Sequence, residues 1–346
     1  MEKDFLLSLD DKWMEGSGSN VDVVISSRIR LARNLLGIPF PQVMTENEIP
    51  GLLDKINLAL TAGKEKFNLW SLKDLSALER QVIVEKHLIS PEHARAGRGA
   101  VFLNQDRSIS IMALEEDHLR IQVILPALNI MEAWITANQI DDLLEAKLEF
   151  AFNEKYGYLT ACPTNVGTGL RASVMMHLPG LALTRQVDSI LRALSQVGLV
   201  VRGIYGEGTE ALGNIFQISN QITLGRNEQE IISNLSSVVV KIIDQEKNAR
   251  DALMQEAGGV LTDRIYRAYG TLTNARVISS QEALTLLSSL KLGMDLKIIT
   301  GLETRLFNQL MVSIQPAYLQ YSMEKEMSST QRDEYRADKI REILKA

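Results

Sequence analysis

Residues 108–125, SISIMALEEDHLRIQVIL, decide the fold class. Ile109, Ile111 and Ala113 alternate with other residues in the first half, and Leu119, Ile121 and Val123 do so in the second. A period of two puts each set on one face of an extended chain. Glu115, Glu116, Asp117 and His118 stand between the runs, so the pattern predicts an antiparallel hairpin, although no Asn-Gly or Asp-Gly marks its turn.

Upstream, VDVVISSRIRL (21–31) is rich in β-branched residues and predicts a strand, followed by a polar loop and a helix over 47–62. Downstream, Leu128, Met131, Ile135, Ile140, Leu143, Leu144 and Leu148 have helical spacing, which predicts a helix from Pro126 to about Asn153 with the proline in its first turn. Further strands are predicted at YLTAC (158–162), LRASVMMHL (170–178), LVVRGIY (199–205) and NIFQISNQI (214–222), and helices at 184–197 and 227–254. Short links between strands and few intervening helices give an α+β class, a largely antiparallel sheet flanked by helices. Gly258-Gly259 is expected to break the last of these helices. Helical spacing then resumes at 262–274, 279–292, 302–321 and 330–345, with Ser279-Ser280-Gln281-Glu282 as a capping box. The expected organisation is a catalytic domain over 1–257 and a helical domain over 260–346.

A chain of 346 residues exceeds one ordinary core, in keeping with two domains. No apolar run approaches the roughly 20 residues that cross a bilayer, and MEKDFLLSLDDKWMEG lacks the layout of a secretory signal, so a cytoplasmic protein is expected. The net charge of -6 argues against general nucleic-acid binding. The single cysteine, Cys162, excludes an internal disulfide and a Cys-based zinc site, and no protein-borne metal site is expected.

Charged side chains inside strands need a reason. Period-two geometry places Arg28 and Arg30 on one face, and Arg120, Arg171 and Arg202 fall in three further strands. Guanidinium groups collected on one sheet face repel one another unless a polyanion fills it, and their planar forks suit phosphate. A nucleoside triphosphate is the obvious candidate, yet no G-x-x-x-x-G-K-[ST] loop is present. Gly167 to Ala172 matches G-x-G-x-x-A with Asp188 downstream, but Cys162-Pro163-Thr164-Asn165 is no apolar strand, which argues against a dinucleotide fold. Glu116 at the hairpin tip and Glu207 between two glycines each lie a few residues from a candidate phosphate ligand. Such carboxylates could grip and deprotonate a guanidinium, a poor nucleophile unaided. Cys162 opens a loop of turn formers and is either buried filler or a thiol that polarises such an acceptor.

Ser26 to Arg30, Glu115 to Arg120, Cys162 to Gly169 and Arg202 to Glu207 occur in the order seen in phosphagen kinases, and from about residue 20 onward the chain resembles their bacterial protein-arginine kinase branch. The resemblance implies a sheet of the glutamine-synthetase and guanido-kinase type with ATP and Mg²⁺ on the arginine face. Nucleotide contacts carried over by motif are Ser26, Ser27, Arg28, Ile29, Arg30, His87, Arg120, Arg171, Ala172, Ser173, Val174, Met175, Arg202, Gly203, Ile204, Tyr205, Gly206 and Glu207. Glu116 and Glu207 would hold and deprotonate the acceptor, with Cys162 beside it.

Relatives acting on free guanidino compounds carry a small helical domain in front, whereas only about 20 residues precede the first motif here. The expected acceptor is therefore an arginine on a protein chain. Arg332-Asp333-Glu334-Tyr335-Arg336-Ala337 resembles an RDxxRA motif, which implies an allosteric phosphoarginine site at Arg332, Asp333, Arg336 and Ala337. The resemblance further implies protein substrates with exposed arginines, marking for Clp protease degradation, an activator of the McsA type, an unfoldase of the ClpC type, control of a heat-shock repressor in the stress response, and a homodimer formed through the helical domain. Two alternatives stand: a kinase for free guanidino metabolites, and a catalytically dead adaptor that binds phosphoarginine.

Overall fold

The computed structural model describes residues 3–204 and 211–345. Its strands are β1 (Val24–Arg33), β2 (Phe67–Ser71), β3 (Ala100–Asn104), β4 (Ile109–Ala113), β5 (Leu119–Pro126), the short β6 (Phe152–Asn153) and β7 (Gly157–Tyr158), β8 (Leu170–His177), β9 (Leu199–Gly203) and β10 (Ile215–Asn220). Its helices are α1 (Lys3–Leu7), α2 (Ile49–Leu60), α3 (Ala77–Glu85), α4 (Pro91–Ala96), α5 (Ile130–Glu145), α6 (Pro179–Leu183), α7 (Val187–Gln196), α8 (Glu228–Asn274), α9 (Ser280–Asp295), α10 (Thr304–Ser313), α11 (Pro316–Ser322) and α12 (Ser329–Lys345). None of the described helices is long and apolar enough to cross a membrane.

The hairpin read from residues 108–125 forms as expected, pairing Ile109 with Val123, Ile111 with Ile121 and Ala113 with Leu119. It sits inside an eight-stranded sheet of order β2-β3-β4-β5-β1-β8-β10-β9, antiparallel at every pairing. The alternating residues Ile109, Ile111, Leu119, Ile121 and Val123 join one apolar layer with Ile29, Leu31, Ala172 and Val174, beneath α2, α5 and the first half of α8. On the opposite face Ile25, Met112, Ile124, Met175 and Ile215 pack with Trp13, α3 and the helices after residue 260. The arginines share this second face. The helical layer therefore covers one part of it and leaves the arginine-bearing part as a cleft wall.

Several expectations are corrected. Pro126 ends β5 instead of opening a helix; α5 begins at Ile130 and stops at Glu145, short of Asn153. Of YLTAC only Tyr158 is in a strand, and the segment 302–321 is two helices because Pro316 starts a new one. The break expected at Gly258-Gly259 takes the form of a kink one residue earlier: Ala257 leaves helical geometry (φ −140°, ψ 28°) and joins two helical halves of α8, the second of which starts at the glycine pair. Glycine costs a helix about 1 kcal/mol each, but Leu261, Ile265, Ala268 and Leu272 beyond the pair are buried against α9 and its neighbours, and that burial holds the chain helical. Ser279 caps α9 by accepting from the Glu282 N–H, without the reciprocal half of the box.

Candidate active site

Strand pairing assembles the arginines. Arg30 lies across from Arg171 on β8 and Gln122 on β5, while Arg28 lies across from Ser173 and Ile124. Arg28 donates to Gln217 Oε1 at 2.8 Å and Ser173 Oγ at 3.4 Å, and Arg171 donates to Ser219 Oγ at 3.2 Å. These partners are neutral. Arg120 alone among the four has carboxylates, Glu115 Oε1 at 2.6 Å and Glu116 Oε2 at 3.0 Å. Arg202 faces Gln217 from β9.

Burial, followed by the Arg171 and Arg120 charges, holds Arg28 down to about 10; burial and the same neighbours, with Arg28, push Arg30 well down, and Arg171 is lowered likewise. The buried Nε atoms of Arg30 and Arg171 have no hydrogen-bond partner. A strand-mounted cluster with too few anions and unused donors is a site built for an anion that arrives.

These residues line a cavity of about 1270 Å³ with His87, Glu115, Glu116, Cys162, Gly169, Gly203 and Ile204. Loops on either side are tied together. Asp117 Oδ1 accepts from Asn34 Nδ2 at 2.6 Å and from the Ala161 N–H at 2.6 Å, so the turn carrying Glu116 and the loop carrying Cys162 share one buried carboxylate. Arg33 fixes the other end of that loop: it ion-pairs with Asp141 at 2.7 Å, donates to Thr168 O at 2.9 Å and covers the Tyr158 ring at 3.5 Å. Gly169 has φ +64°, and a Cβ there would meet Ala32 O at 2.6 Å, so the backbone approach excludes any side chain.

Glu116 is half-buried, and desolvation raises its pKa against the pull of Arg120. Cys162 Sγ sits 3.0 Å from Thr164 Oγ1. His87 takes a left-handed conformation (φ 62°), accepts from Gln122 Nε2 on its carbonyl at 2.9 Å, and packs edge-on to Trp13 with centroids 5.2 Å apart. Burial and the Arg28 charge push its ring down to about 3, so the imidazole is neutral at physiological pH.

Not every candidate residue reaches the cleft. Ser26, Ser27, Ile29, Ala172, Ser173, Val174 and Met175 do not line it. Alternation turns Ile29, Ala172 and Val174 into the apolar layer beneath, and Met175 into the cluster under the C-terminal helices. Ser27 Oγ is used structurally, donating to Ala127 O at 2.8 Å and accepting from the Asn129 N–H at 2.9 Å. Tyr205, Gly206 and Glu207 lie outside the described residues. Two partners escaped the sequence reading: Gln217, and Glu115, which also accepts from Ser90 Oγ at 2.6 Å. Glu115 adjoins Glu116 at the hairpin tip, but nothing in the pattern said which carboxylate turns inward.

Arg332 and Arg336 do not form an open pair. Arg336 is 1% exposed and donates to Ile314 O and Ile278 O, each at 2.9 Å, while bridging to Asp333; Arg332 donates to Met327 O at 2.7 Å. The reading of two side chains free to chelate one phosphoryl group is corrected for Arg336, whose guanidinium is spent on buried carbonyls.

Among the described residues no cluster of His, Cys, Asp or Glu could hold a metal ion by itself. A Mg²⁺ here would rest largely on phosphate oxygens and water, the usual arrangement for that ion.

Residues 51–249 match the ATP:guanido phosphotransferase C-terminal catalytic domain, and residues 259–346 match the protein-arginine kinase McsB C-terminal domain. A protein-arginine kinase of Moorella thermoacetica is 56% identical over 344 residues, covering 98% of each chain. One from Bacillus subtilis is 49% identical, covering 99% of this chain and 95% of its own. The crystal structure of lombricine kinase superposes with a TM-score of 0.58 at 27% identity, covering 73% of this chain and 71% of that one. The arginine-walled cleft thus belongs to a known lineage: the chain is a member of the ATP:guanido phosphotransferase family, in the branch of the protein-arginine kinases.

Proposed function

We propose that the chain transfers the γ-phosphoryl group of ATP to the guanidinium of arginine side chains in proteins. The observation that carries this reading is the pair of buried, unpartnered Nε donors of Arg30 and Arg171 within an arginine wall, in one cavity with Glu116 and Cys162. Arg28, Arg30, Arg120, Arg171 and Arg202 hold the triphosphate and neutralise charge as it moves toward the leaving oxygen. Mg²⁺, where bound, would add to that neutralisation.

Glu116 orients the acceptor guanidinium and takes its proton as the nitrogen lone pair attacks γ-phosphorus and the bond to the ADP oxygen breaks. Its desolvated setting favours accepting that proton. Glu207, by family motif, is the second carboxylate on the acceptor. Cys162 sits on the loop tied to Glu116 through Asp117, placed to steady the acceptor and not to attack. Neutral His87 adds no charge to the wall.

The same reading assigns residues 260–346 to dimerisation and to phosphoarginine sensing at residues 332–337, where Arg336 would have to exchange its carbonyl partners. It places the enzyme in the cytoplasm, with an McsA-type activator, a ClpC-type unfoldase and a heat-shock repressor as partners.

The test is incubation with ATP and Mg²⁺ and either an unfolded protein or free arginine, followed by assay for acid-labile phosphate. Label on the protein, lost in Glu116→Gln while ATP binding persists, is the expected result. Label on free arginine alone, or none with either acceptor, overturns it.

A further inference from the structure

Strand β10 lies between β8 and β9 and touches the phosphate wall directly. Gln217 accepts from Arg28 and Ser219 from Arg171, so two of the arginines rest on it. Past its last residue the chain stays tied to β8: the Asn220 side chain accepts from the Ala172 N–H at 2.8 Å and donates to Leu170 O at 3.0 Å and Ile222 O at 3.2 Å. That turn delivers Thr223, which is buried, to the far end of the loop that carries Cys162. Its hydroxyl donates between two carbonyls, Thr164 O at 2.9 Å and Val166 O at 2.7 Å, and its own carbonyl accepts from the Thr168 N–H at 3.2 Å. Gly167, at φ +110°, packs its backbone so closely on Thr223 O that no Cβ fits. Residues 164–168 are therefore laced to one residue, and Thr164 is in turn the partner of the Cys162 thiol.

We propose that Thr223 is a positioning residue for phosphoryl transfer: its hydroxyl holds the Cys162 loop at a fixed offset from the phosphate wall, because wall and loop are both mounted on β10 and its extension. The inference rests on the acceptor reading above, in which Glu116 and Cys162 flank the arginine nitrogen. Two other ties act on this loop. Asp117 holds its start through the Ala161 N–H, and Arg33 holds Thr168 O from β1. Neither contact reaches residues 164–166, the stretch beside the thiol. There the short turn Pro163–Asn165 and the residue after it aim two carbonyls the same way, and one hydroxyl can serve both as a three-centre bond. Valine has nearly the same shape and no donor. In its presence the carbonyls would turn toward water and carry Thr164 and the thiol away from the acceptor. In-line attack tolerates little of this, since a displacement of about 1 Å can cost about a hundred-fold in rate. ATP, held by the arginines, would not register the change.

The experiment compares Thr223→Val, Thr223→Ala and Thr223→Ser with the unmodified chain in kcat and KM for an unfolded protein acceptor, in ATP Kd, and in the rate at which iodoacetamide alkylates Cys162, which is partly exposed. Valine and alanine are expected to lower kcat about ten-fold or more and to speed alkylation several-fold. ATP Kd should stay where it is, and thermal melting verifies the fold. Serine keeps the donor and is expected to restore both kcat and the slow alkylation. Alanine covers the case in which the valine methyl does not fit. Unchanged kcat and alkylation in the valine and alanine variants, a serine variant as impaired as valine, or a loss of ATP affinity that matches the loss of kcat overturns the proposal. Faster alkylation with unchanged turnover would overturn it by another route, striking the acceptor reading on which it rests.

Discussion

Replacing Arg30 by methionine is expected to make the ligand-free protein more stable and catalytically dead. Its guanidinium is buried among Arg28, Arg120 and Arg171, with Glu115 as the nearby anion and Nε unpaired. Two unit charges about 7 Å apart at an effective dielectric of about 20 repel by about 2 kcal/mol. Three such neighbours outweigh one carboxylate, and desolvation adds to the cost. Methionine keeps the stem volume and removes charge and orphan donor together, so a net gain of about 2 kcal/mol is expected. In a chain of this size that is a rise of about 3 °C in Tm.

The assay is thermal melting at low ionic strength with and without ATP and Mg²⁺. The unmodified chain at about 100 times its Kd should gain about 2.7 kcal/mol from nucleotide, and Arg30→Met should gain almost nothing from the same addition. Sulfate or phosphate, as crude polyanion substitutes, should raise the melting temperature of the parent more than that of the variant. A ligand-free variant less stable than the parent, or one that keeps its ATP-dependent shift, would refute the view of this face as an uncompensated cation cluster.

Arg336→Ala should cost about 3 kcal/mol in urea unfolding, because Ile278 O, Ile314 O and Asp333 lose their partner, whereas Arg332→Ala should cost under about 1 kcal/mol. Gly169→Ala should lose about 2 kcal/mol or more and most activity, since φ +64° and the contact with Ala32 O leave no room for Cβ. The pKa of His87 falls to about 3 on folding from an ordinary value near 6.5, so the unfolded chain binds the proton first and this contribution to stability is lost as pH falls from about 6.5 toward 3. His87→Asn, which tolerates the left-handed backbone, should therefore lose less stability than the parent between pH 7 and pH 5, by about 2 kcal/mol; parallel pH curves would contradict this.

The catalytic sheet was legible because strands announce themselves by parity. Ile109, Ile111, Leu119, Ile121 and Val123 alternate cleanly, and the same rule put Arg28, Arg30, Arg120 and Arg171 on a common surface. Parity fails where the chain is short or aperiodic. β2 and β3 passed unnoticed because every residue of β3 is buried and shows no alternation, while β2 is an edge strand of mixed exposure. Asp117, which ties two site loops together across 44 residues of sequence, gives no local signal, since its meaning arises only when Ala161 arrives beside it. Arg336 misled for the same reason: helical spacing pairs it with Arg332, and only the approach of Ile278 and Ile314 reveals that its charge faces inward.

The seam between the two matched family segments, after residue 249 and before residue 259, falls inside α8. The helix is kinked at Ala257, within that seam, and its far half lies over the sheet face that holds Met175 and Ile215. A gene shortened at the seam would encode a sheet with one greasy side open to water and a rod ending in mid-air. Its product should collect in inclusion bodies. What reads as two modules in sequence would travel through recombination as one indivisible piece.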